Sequence, residues 1–334
     1  MNMKIAINGF GRIGRPALKI ALEHPDVEIS AINDLGDIDN LAYLLKYDTA
    51  YGVYQKEVAV NGNILKVDDK EIKILCEKDP LDLPWNELGI DVVLECTGVF
   101  KDRERTKGHI GAGAKKVIIS APTKDDTIKT VVIGCNENEI VSDDDILSMA
   151  SCTTNCIAPI AKVLDETFGI EKALMSTIHS YTSTQALVDG PVEKDVRRGR
   201  AAAQNIVPST TGAAIAATKT LPQLEDIFDG MAFRVPTLVG SIIDLVAVLK
   251  QKTNEKEIND AFKKAAAGQL KGIMKVTTEP LVSHDIVGST YSCIVDAALT
   301  KVTAGNLVKV VGWYDNEWGY SNRLVDLAVI ISRI

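Results

Sequence analysis

The segment Gly9-Phe10-Gly11-Arg12-Ile13-Gly14 restricts what this chain can become more than any other stretch of it. Its glycines keep a G-x-G-x-x-G spacing, directly after the short apolar run Lys4–Asn8 and at the start of a helical pattern from Arg12 to about His24. Pro25-Asp26 breaks that pattern, Val27 to Asn33 reads as a second strand, and the acidic Asp34 stands 20 residues beyond Gly14. A glycine string alone says little. Inside a strand–helix–strand unit with an acidic residue at the second strand's end, it is the fingerprint of a dinucleotide site. Gly9 permits the tight turn, Gly11 removes a side chain where a pyrophosphate must approach the backbone, and Gly14 lets helix and strand pack closely. The helix N-terminus presents free N–H groups and partial positive charge to the phosphates. Asp34 is placed to accept hydrogen bonds from ribose hydroxyls and to repel a 2′-phosphate, so NAD is expected rather than NADP.

The rest of the first half repeats the theme. Asp91–Thr97, Lys116–Ser120 and Thr130–Gly134 are continuous apolar runs, as suits strands buried on both faces of a parallel sheet. The character changes near Ser151. A helical stretch starts there, contains Pro159, and fades at Phe168-Gly169, where the glycine is a C-terminal cap. Longer strands follow at Ala173–Ser180, Phe233–Val235, Ser241–Lys250 and Leu307–Trp313. The polar segment from Ser180 to Asn205 has little periodicity, and a loop of that length inside a compact domain is usually functional. Trp318–Ile334 reads as an amphipathic helix. The expected architecture is an α/β Rossmann domain over 1–150, completed by the C-terminal helix 316–334, plus an α+β catalytic domain over 151–315 with a mostly antiparallel sheet.

A net charge of −8 over 334 residues argues against nucleic acid as the main partner. The N-terminal apolar run is too short for a signal peptide, and no uncharged apolar stretch is long enough to span a membrane. The six cysteines (76, 96, 135, 152, 156 and 293) form no C-x-x-C pair. Reduced thiols in a cytoplasmic protein, with no metal, are the natural expectation.

Ser151-Cys152-Thr153-Thr154-Asn155-Cys156 carries the chemistry. A thiol at the first turn of a helix feels the macrodipole, which favours thiolate. Addition of a thiolate to an aldehyde gives a tetrahedral hemithioacetal that can lose hydride and leave a thioester, whereas a bare aldehyde would have to pass through an unstable acylium. Cys156 lies one turn further on and reads as a packing residue. Such chemistry also needs a base. His179 ends the apolar strand Leu174–His179, and from spacing alone it stands equally as a catalytic imidazole or a satisfied core histidine.

The segments Asn8–Arg15, Ala150–Cys156, His179–Thr182, Ser209–Ala214, Met231–Thr237 and Trp313–Tyr320 together resemble the glyceraldehyde-3-phosphate dehydrogenases, and the resemblance spans essentially the whole chain. It implies that Cys152 is the nucleophile and that His179 activates it and steadies the oxyanion, with the Cys152 amide as a second donor. It implies that Thr182 and Arg234 hold the C3 phosphate of glyceraldehyde 3-phosphate. Thr211 and Gly212, with Ser151 and Thr153 nearby, would frame the inorganic phosphate that attacks the thioester, assisted by an arginine of Arg197-Arg198-Gly199-Arg200, here taken as Arg198. On the cofactor side it places Arg12 and Ile13 at the pyrophosphate, Lys78 (often arginine in the family) and Ser120 at further contacts, and Asn316 at the nicotinamide carboxamide. The Ser180–Asn205 segment resembles a loop that packs beside a neighbouring subunit's cofactor site, which implies a homotetramer. Three rivals stand beside this reading: erythrose-4-phosphate dehydrogenase, in which water takes the acyl group; a preference for NADP; and a non-catalytic protein that uses the dinucleotide site for RNA or a partner protein.

Overall fold

A computed structural model describes residues 2–193 and 195–334. The chain divides into two compact units. Met1–Val131, Asn138–Ala150 and Ser321–Ile334 form one, and Val132–Glu137 with Ser151–Tyr320 form the other.

The first unit is built on a nine-stranded sheet. Its spatial order is Lys129–Thr130, Ile146–Ser148, Lys116–Ile119, Val92–Glu95, Met3–Asn8, Val27–Asn33, Lys70–Leu75, Ile64–Val67 and Val58–Asn61. The strands are parallel from the first edge through Lys70–Leu75, and the last two turn back antiparallel. Chain order reverses across Met3–Asn8, which pairs with Val27–Asn33 on one side and Val92–Glu95 on the other. A crevice at the carboxyl ends of such strands is where α/β sheets bind ligands. Ala6, Ala31, Val93, Val117 and Ile119 are buried together with Leu83, Trp85 and Ile90, which explains why these strands read as continuous apolar runs. The two antiparallel strands at the far edge, Val58–Asn61 and Ile64–Val67, went unread in the sequence, each being only four residues long.

One expected strand is corrected. Thr130–Gly134 is strand only at its first residue, within Lys129–Thr130. Beyond it the chain turns: the Cys135 amide donates to the Val132 carbonyl at 2.9 Å and Gly134 takes a φ of +90°. Val131 and Val132 are fully buried. A short apolar run reports burial, which a strand and a buried turn share.

The second unit holds a sheet ordered Val207–Thr210, Phe228–Val235, Ile170–Ser180, Ser241–Leu249, Leu307–Tyr314, Cys293–Asp296 and Met274–Thr277, with Lys301–Thr303 pairing to Leu307–Tyr314. It is mostly antiparallel, but Ile170–Ser180 runs parallel to Phe228–Val235, and this register sets His179 opposite Arg234. The Cys152–Phe168 helix packs on this sheet and passes through Pro159 without a break in assignment. Gly312 makes room for it, since a Cβ there would lie 2.6 Å from Ile160 Cδ1. Gly169 ends the helix at φ +68°, donating its amide to the Asp165 carbonyl at 2.9 Å. Between Ser180 and Val207 the described residues are irregular apart from the 3-10 turn Val196–Gly199; Lys194 lies outside the described residues.

Candidate active site

In the first unit the glycine loop behaves as its spacing predicts. Gly9 has φ +94°, and a Cβ on it would come within 2.6 Å of the Thr97 amide nitrogen. A Cβ on Gly14 would lie 2.2 Å from the Gly9 carbonyl oxygen, so only glycine lets the helix start this close to the loop. Gly11 differs: its chain neighbours aside, a Cβ there meets no atom of the described residues within 4 Å. The space it leaves belongs to a cleft of about 1290 Å³, lined among others by Gly9, Gly11, Asp34, Leu35, Lys78 and Thr97.

Asp34 is oriented by the loop itself. Its Oδ2 accepts the Phe10 amide at 2.6 Å and its Oδ1 accepts the Gly36 amide at 2.8 Å. A carboxylate has about four acceptor positions, so two remain for ligand hydroxyls. An open space at Gly11, the helix start at Gly14 and a fixed carboxylate at the rim fit a dinucleotide. Ile13 is the N-cap residue of the Gly14–Ala21 helix. Lys78 is exposed on the cleft wall, and Ser120 follows the Lys116–Ile119 strand, donating its amide to the Glu95 carbonyl. The Arg12 guanidinium pairs with Asp48 Oδ2 at 2.6 Å and lies over the Tyr51 ring. Burial works against the Asp48 carboxylate, but Arg12 and local amide donors outweigh it and hold its pKa below the usual range.

Sequence reading missed the polar chain beneath this loop. Buried Glu95 accepts from Asn8 Nδ2 at 2.5 Å and the Thr97 amide at 2.8 Å, and its Oε2 lies 3.2 Å from His109 Nε2. Asn33 bonds Asn8 and both the amide and carbonyl of Glu77. These groups tie together the strand ends around the crevice, but none carries a recognisable spacing.

In the second unit, Cys152 opens its helix and Ser151 caps it, with Ser151 Oγ accepting the Thr154 amide at 3.0 Å. Cys152 Sγ is 3.5 Å from His179 Nε2. His179 is buried, and its Nδ1 lies 2.6 Å from the Ser180 carbonyl oxygen and 2.6 Å from Arg234 Nη1. Arg234 Nη1 also donates to the Ser180 carbonyl at 3.0 Å. Tyr314 stands edge-on to the imidazole, its hydroxyl within 2.9 Å of Thr153 Oγ1 and 2.8 Å of Thr177 Oγ1. Tyr314 was visible in sequence only as part of a longer motif.

The ionisation expected of Cys152 needs correction. Burial raises the thiol pKa above its ordinary value, and this outweighs the opposing pull of the Arg234 guanidinium, the Thr153 hydroxyl and the Thr153 and Cys152 amides. The helix end therefore softens desolvation without reversing it. His179 is driven down to about 3, first by burial and then by Arg234, against the Ser180 carbonyl. The imidazole is neutral at physiological pH and able to receive a proton. Cys96 is pushed up to about 12 by burial, and burial raises Cys156 strongly as well.

Around this pair, Arg198 donates from Nε and Nη2 to Ser209 Oγ at 2.9 and 2.7 Å, beside Thr210 and Thr211, whereas Arg200 turns to Asp189. Thr211 Oγ1 accepts the Ala213 amide, and Gly212 precedes the Ala213–Thr218 helix. Thr182 Oγ1 lies 2.9 Å from Thr184 Oγ1. Asn316 is buried, its Oδ1 accepting from the Gly240 amide and the Ser241 hydroxyl.

Comparisons with known proteins agree with both halves of this picture. Residues 3–103 match the family profile "Glyceraldehyde 3-phosphate dehydrogenase, NAD binding domain", and residues 151–316 match the profile of the C-terminal domain of the same family. The chain is 52% identical over 333 residues to glyceraldehyde-3-phosphate dehydrogenase 2 of Streptomyces avermitilis, covering 99% of each chain. It is 53% identical over 333 residues to the glyceraldehyde-3-phosphate dehydrogenase of Geobacillus stearothermophilus, again covering 99% of each. Against glyceraldehyde-3-phosphate dehydrogenase 1 of Bacillus subtilis it is 50% identical over 334 residues, covering 100% of this chain and 99% of that one. The chain belongs to the glyceraldehyde-3-phosphate dehydrogenase family and is an NAD-dependent enzyme of it.

Proposed function

We propose that this enzyme converts D-glyceraldehyde 3-phosphate, inorganic phosphate and NAD into 1,3-bisphosphoglycerate and NADH through a thioester on Cys152. The observation that carries the reading is the 3.5 Å approach of Sγ of Cys152, at the start of its helix, to the Nε2 of the neutral, buried His179. His179 takes the thiol proton as sulfur bonds to the aldehyde carbon, and the carbonyl π pair moves to oxygen. His179 and the Cys152 amide steady that oxygen, which collects the proton to give a hemithioacetal. Bound NAD supplies the acceptor for the hydride. As the hydride leaves, His179 removes the hydroxyl proton and the C–O double bond re-forms as a thioester. An oxygen of inorganic phosphate then attacks the thioester carbon, and the C–S bond breaks with its electron pair going to sulfur.

Arg234 and Thr182 hold the substrate's C3 phosphate in this scheme. Arg198, Thr211 and Gly212, with Ser151 and Thr153, receive the attacking phosphate. Gly9, Gly11, Arg12, Ile13, Gly14, Asp34, Lys78, Ser120 and Asn316 hold the cofactor. The Rossmann domain takes 1–150 with the C-terminal helix, and the catalytic domain takes 151–315. A homotetramer is part of the proposal. Leu187, Val188, Val196 and Ile206 are exposed along the irregular segment, and Leu174, Met231 and Val246 are exposed on three neighbouring strands; apolar groups in such number favour a covered surface. A cytoplasmic location accords with six free cysteines.

The test is NADH formation from glyceraldehyde 3-phosphate with and without inorganic phosphate. Turnover is expected to need phosphate, to fall by about 1000-fold or more in Cys152→Ser, and to stay within a few-fold in Cys156→Ser. NADH produced equally well without phosphate, or by Cys152→Ser, would overturn the proposal. The first of these outcomes would instead indicate an enzyme that hydrolyses its acyl intermediate.

A further inference from the structure

Four hydrogen-bond donors converge on the buried carboxylate of Glu95, at the end of the Val92–Glu95 strand. Its Oε1 accepts the Thr97 amide at 2.8 Å and also the Thr97 hydroxyl. That hydroxyl in turn accepts the Val99 amide at 3.0 Å, so its one proton goes to Glu95. Oε2 takes Asn8 Nδ2 at 2.5 Å and His109 Nε2 at 3.2 Å. A carboxylate has about four acceptor positions, and each has its donor here.

The direction of these bonds is set by groups that have no choice. The Trp85 indole N–H can only donate, and it meets His109 Nδ1 at 2.9 Å. Nδ1 is therefore the acceptor, and the ring proton sits on Nε2, facing Glu95. At the other end, the Glu77 amide donates to Asn33 Oδ1 at 2.8 Å and the Glu77 carbonyl accepts from Asn33 Nδ2 at 2.9 Å. Asn33 Nδ2 also donates to Asn8 Oδ1 at 2.8 Å, which turns Asn8 Nδ2 towards Glu95. The 3.3 Å between Asn8 Nδ2 and His109 Nε2 is the spacing of two donors on one shared acceptor. An amide in place of the carboxylate would turn its own N–H groups on one of the two donor pairs, so glutamine cannot complete the set.

Both segments that Glu95 grips line the cofactor cleft. Asn8 immediately precedes Gly9 and stands opposite Glu95 in the parallel pairing of their strands. Thr97 is exposed on the cleft, and its amide nitrogen lies 2.6 Å from where a Gly9 Cβ would be. The two backbones meet at that point, and one carboxylate holds them both. We propose that Glu95 is a positioning residue for the dinucleotide site. It acts on NAD through the Gly9 turn and the 96–98 segment, fixing one against the other. This inference rests on the proposed placement of NAD at the 9–14 loop.

Positioning predicts a sign opposite to simple electrostatics. The pyrophosphate of NAD carries two negative charges, so removing the Glu95 carboxylate should by charge alone tighten binding. Loss of positioning weakens it. In the full-length enzyme, Glu95→Gln is expected to raise the calorimetric Kd and the Michaelis constant for NAD about tenfold. Turnover at saturating NAD and the Michaelis constant for glyceraldehyde 3-phosphate should stay within about twofold of wild type. Unchanged or tighter NAD binding overturns the inference. So does a parallel rise in both Michaelis constants, which would mark general damage to the fold. If Glu95→Gln does not fold, a pair of variants at His109 decides. His109→Leu deletes one donor and should weaken NAD about threefold. His109→Gln, whose amide can accept from Trp85 and donate to Glu95, should recover most of that loss. Equal NAD constants in the two variants overturn the inference. Gly11→Ala is measured alongside. If it loses NAD while Glu95→Gln binds normally, positioning by Glu95 is refuted and the cofactor placement stands. If Gly11→Ala itself binds NAD normally, the placement is refuted, and this inference with it.

Discussion

Ser241 donates its hydroxyl proton to Asn316 Oδ1 at 3.0 Å while accepting the Ser180 amide at 3.1 Å. One hydroxyl therefore links the strand that carries His179 to the side chain proposed to hold the nicotinamide carboxamide. With the Gly240 amide as second donor, the Asn316 oxygen is fixed, and in the proposed reaction its Nδ2 group serves the nicotinamide carboxamide. Which end of the amide points outward is set by this pair of donors, not by Asn316 itself.

Ser241→Ala removes one of the two restraints and leaves the Ser180 amide without its acceptor. A single lost hydrogen bond of this kind is worth about 1 kcal/mol. The Michaelis constant for NAD is expected to rise about fivefold while that for glyceraldehyde 3-phosphate stays nearly constant. Initial-rate kinetics with each substrate varied separately checks this. Equal effects on both constants would mean that Ser241 supports the sheet and not the amide.

Arg198 is pre-oriented on Ser209 Oγ by both Nε and Nη2. Arg198→Lys keeps a charge but loses the planar fork that matches a phosphate. The Michaelis constant for inorganic phosphate is expected to rise about tenfold. The first-turnover burst of NADH should survive, because the oxidation step precedes phosphate attack. Rapid-mixing absorbance together with steady-state kinetics separates the two steps. Loss of the burst would move Arg198 to the aldehyde's own phosphate.

The glycine loop was legible in sequence because Gly9 and Gly14 answer local backbone demands, and Gly11 leaves open space, at a spacing the sequence records. The Cys152 helix was legible for a similar reason: a capping serine, an apolar face and a terminal glycine all lie within one segment. Contacts between distant residues were not. Nothing at Arg234 announces that parallel pairing sets it against His179, since strand register emerges only when the sheet assembles. The Glu95, Asn8 and Asn33 chain is hidden for the same reason, its members lying in three different strands. The ionisation of Cys152 was misjudged because a sequence shows the helix start but not the burial that opposes it.

Gly11 and Gly14 separate folding from ligand binding within one loop. Gly14→Ala sets a methyl 2.2 Å from a backbone carbonyl that cannot swing aside. A destabilisation of about 2 kcal/mol or more is expected, as for overpacking elsewhere. Chain neighbours aside, the Gly11→Ala methyl meets no atom of the described residues within 4 Å, so the melting temperature should stay near that of wild type while NAD affinity falls about tenfold or more. Thermal melts and calorimetric NAD titration of both variants check this. A Gly11→Ala protein that binds NAD normally would place the pyrophosphate elsewhere.

The pH dependence of stability carries the signature of His179. Its folded pKa, depressed to about 3, lies below the ordinary histidine value of 6.5. Above 6.5 the imidazole is neutral in both folded and unfolded chains and favours neither. As pH falls from 6.5 towards 3 the unfolded chain takes up a proton that the folded protein refuses, so stability declines across this window, by several kcal/mol at its lower end. His179→Gln has no such group, and its melting temperature should fall less steeply between pH 6.5 and 4 than that of wild type. Other groups titrate alike in both proteins and cancel in the difference. Calorimetric melts of the pair at matched ionic strength provide the check. Parallel curves would mean that His179 can be protonated in the folded protein, and that burial and Arg234 do not hold it neutral.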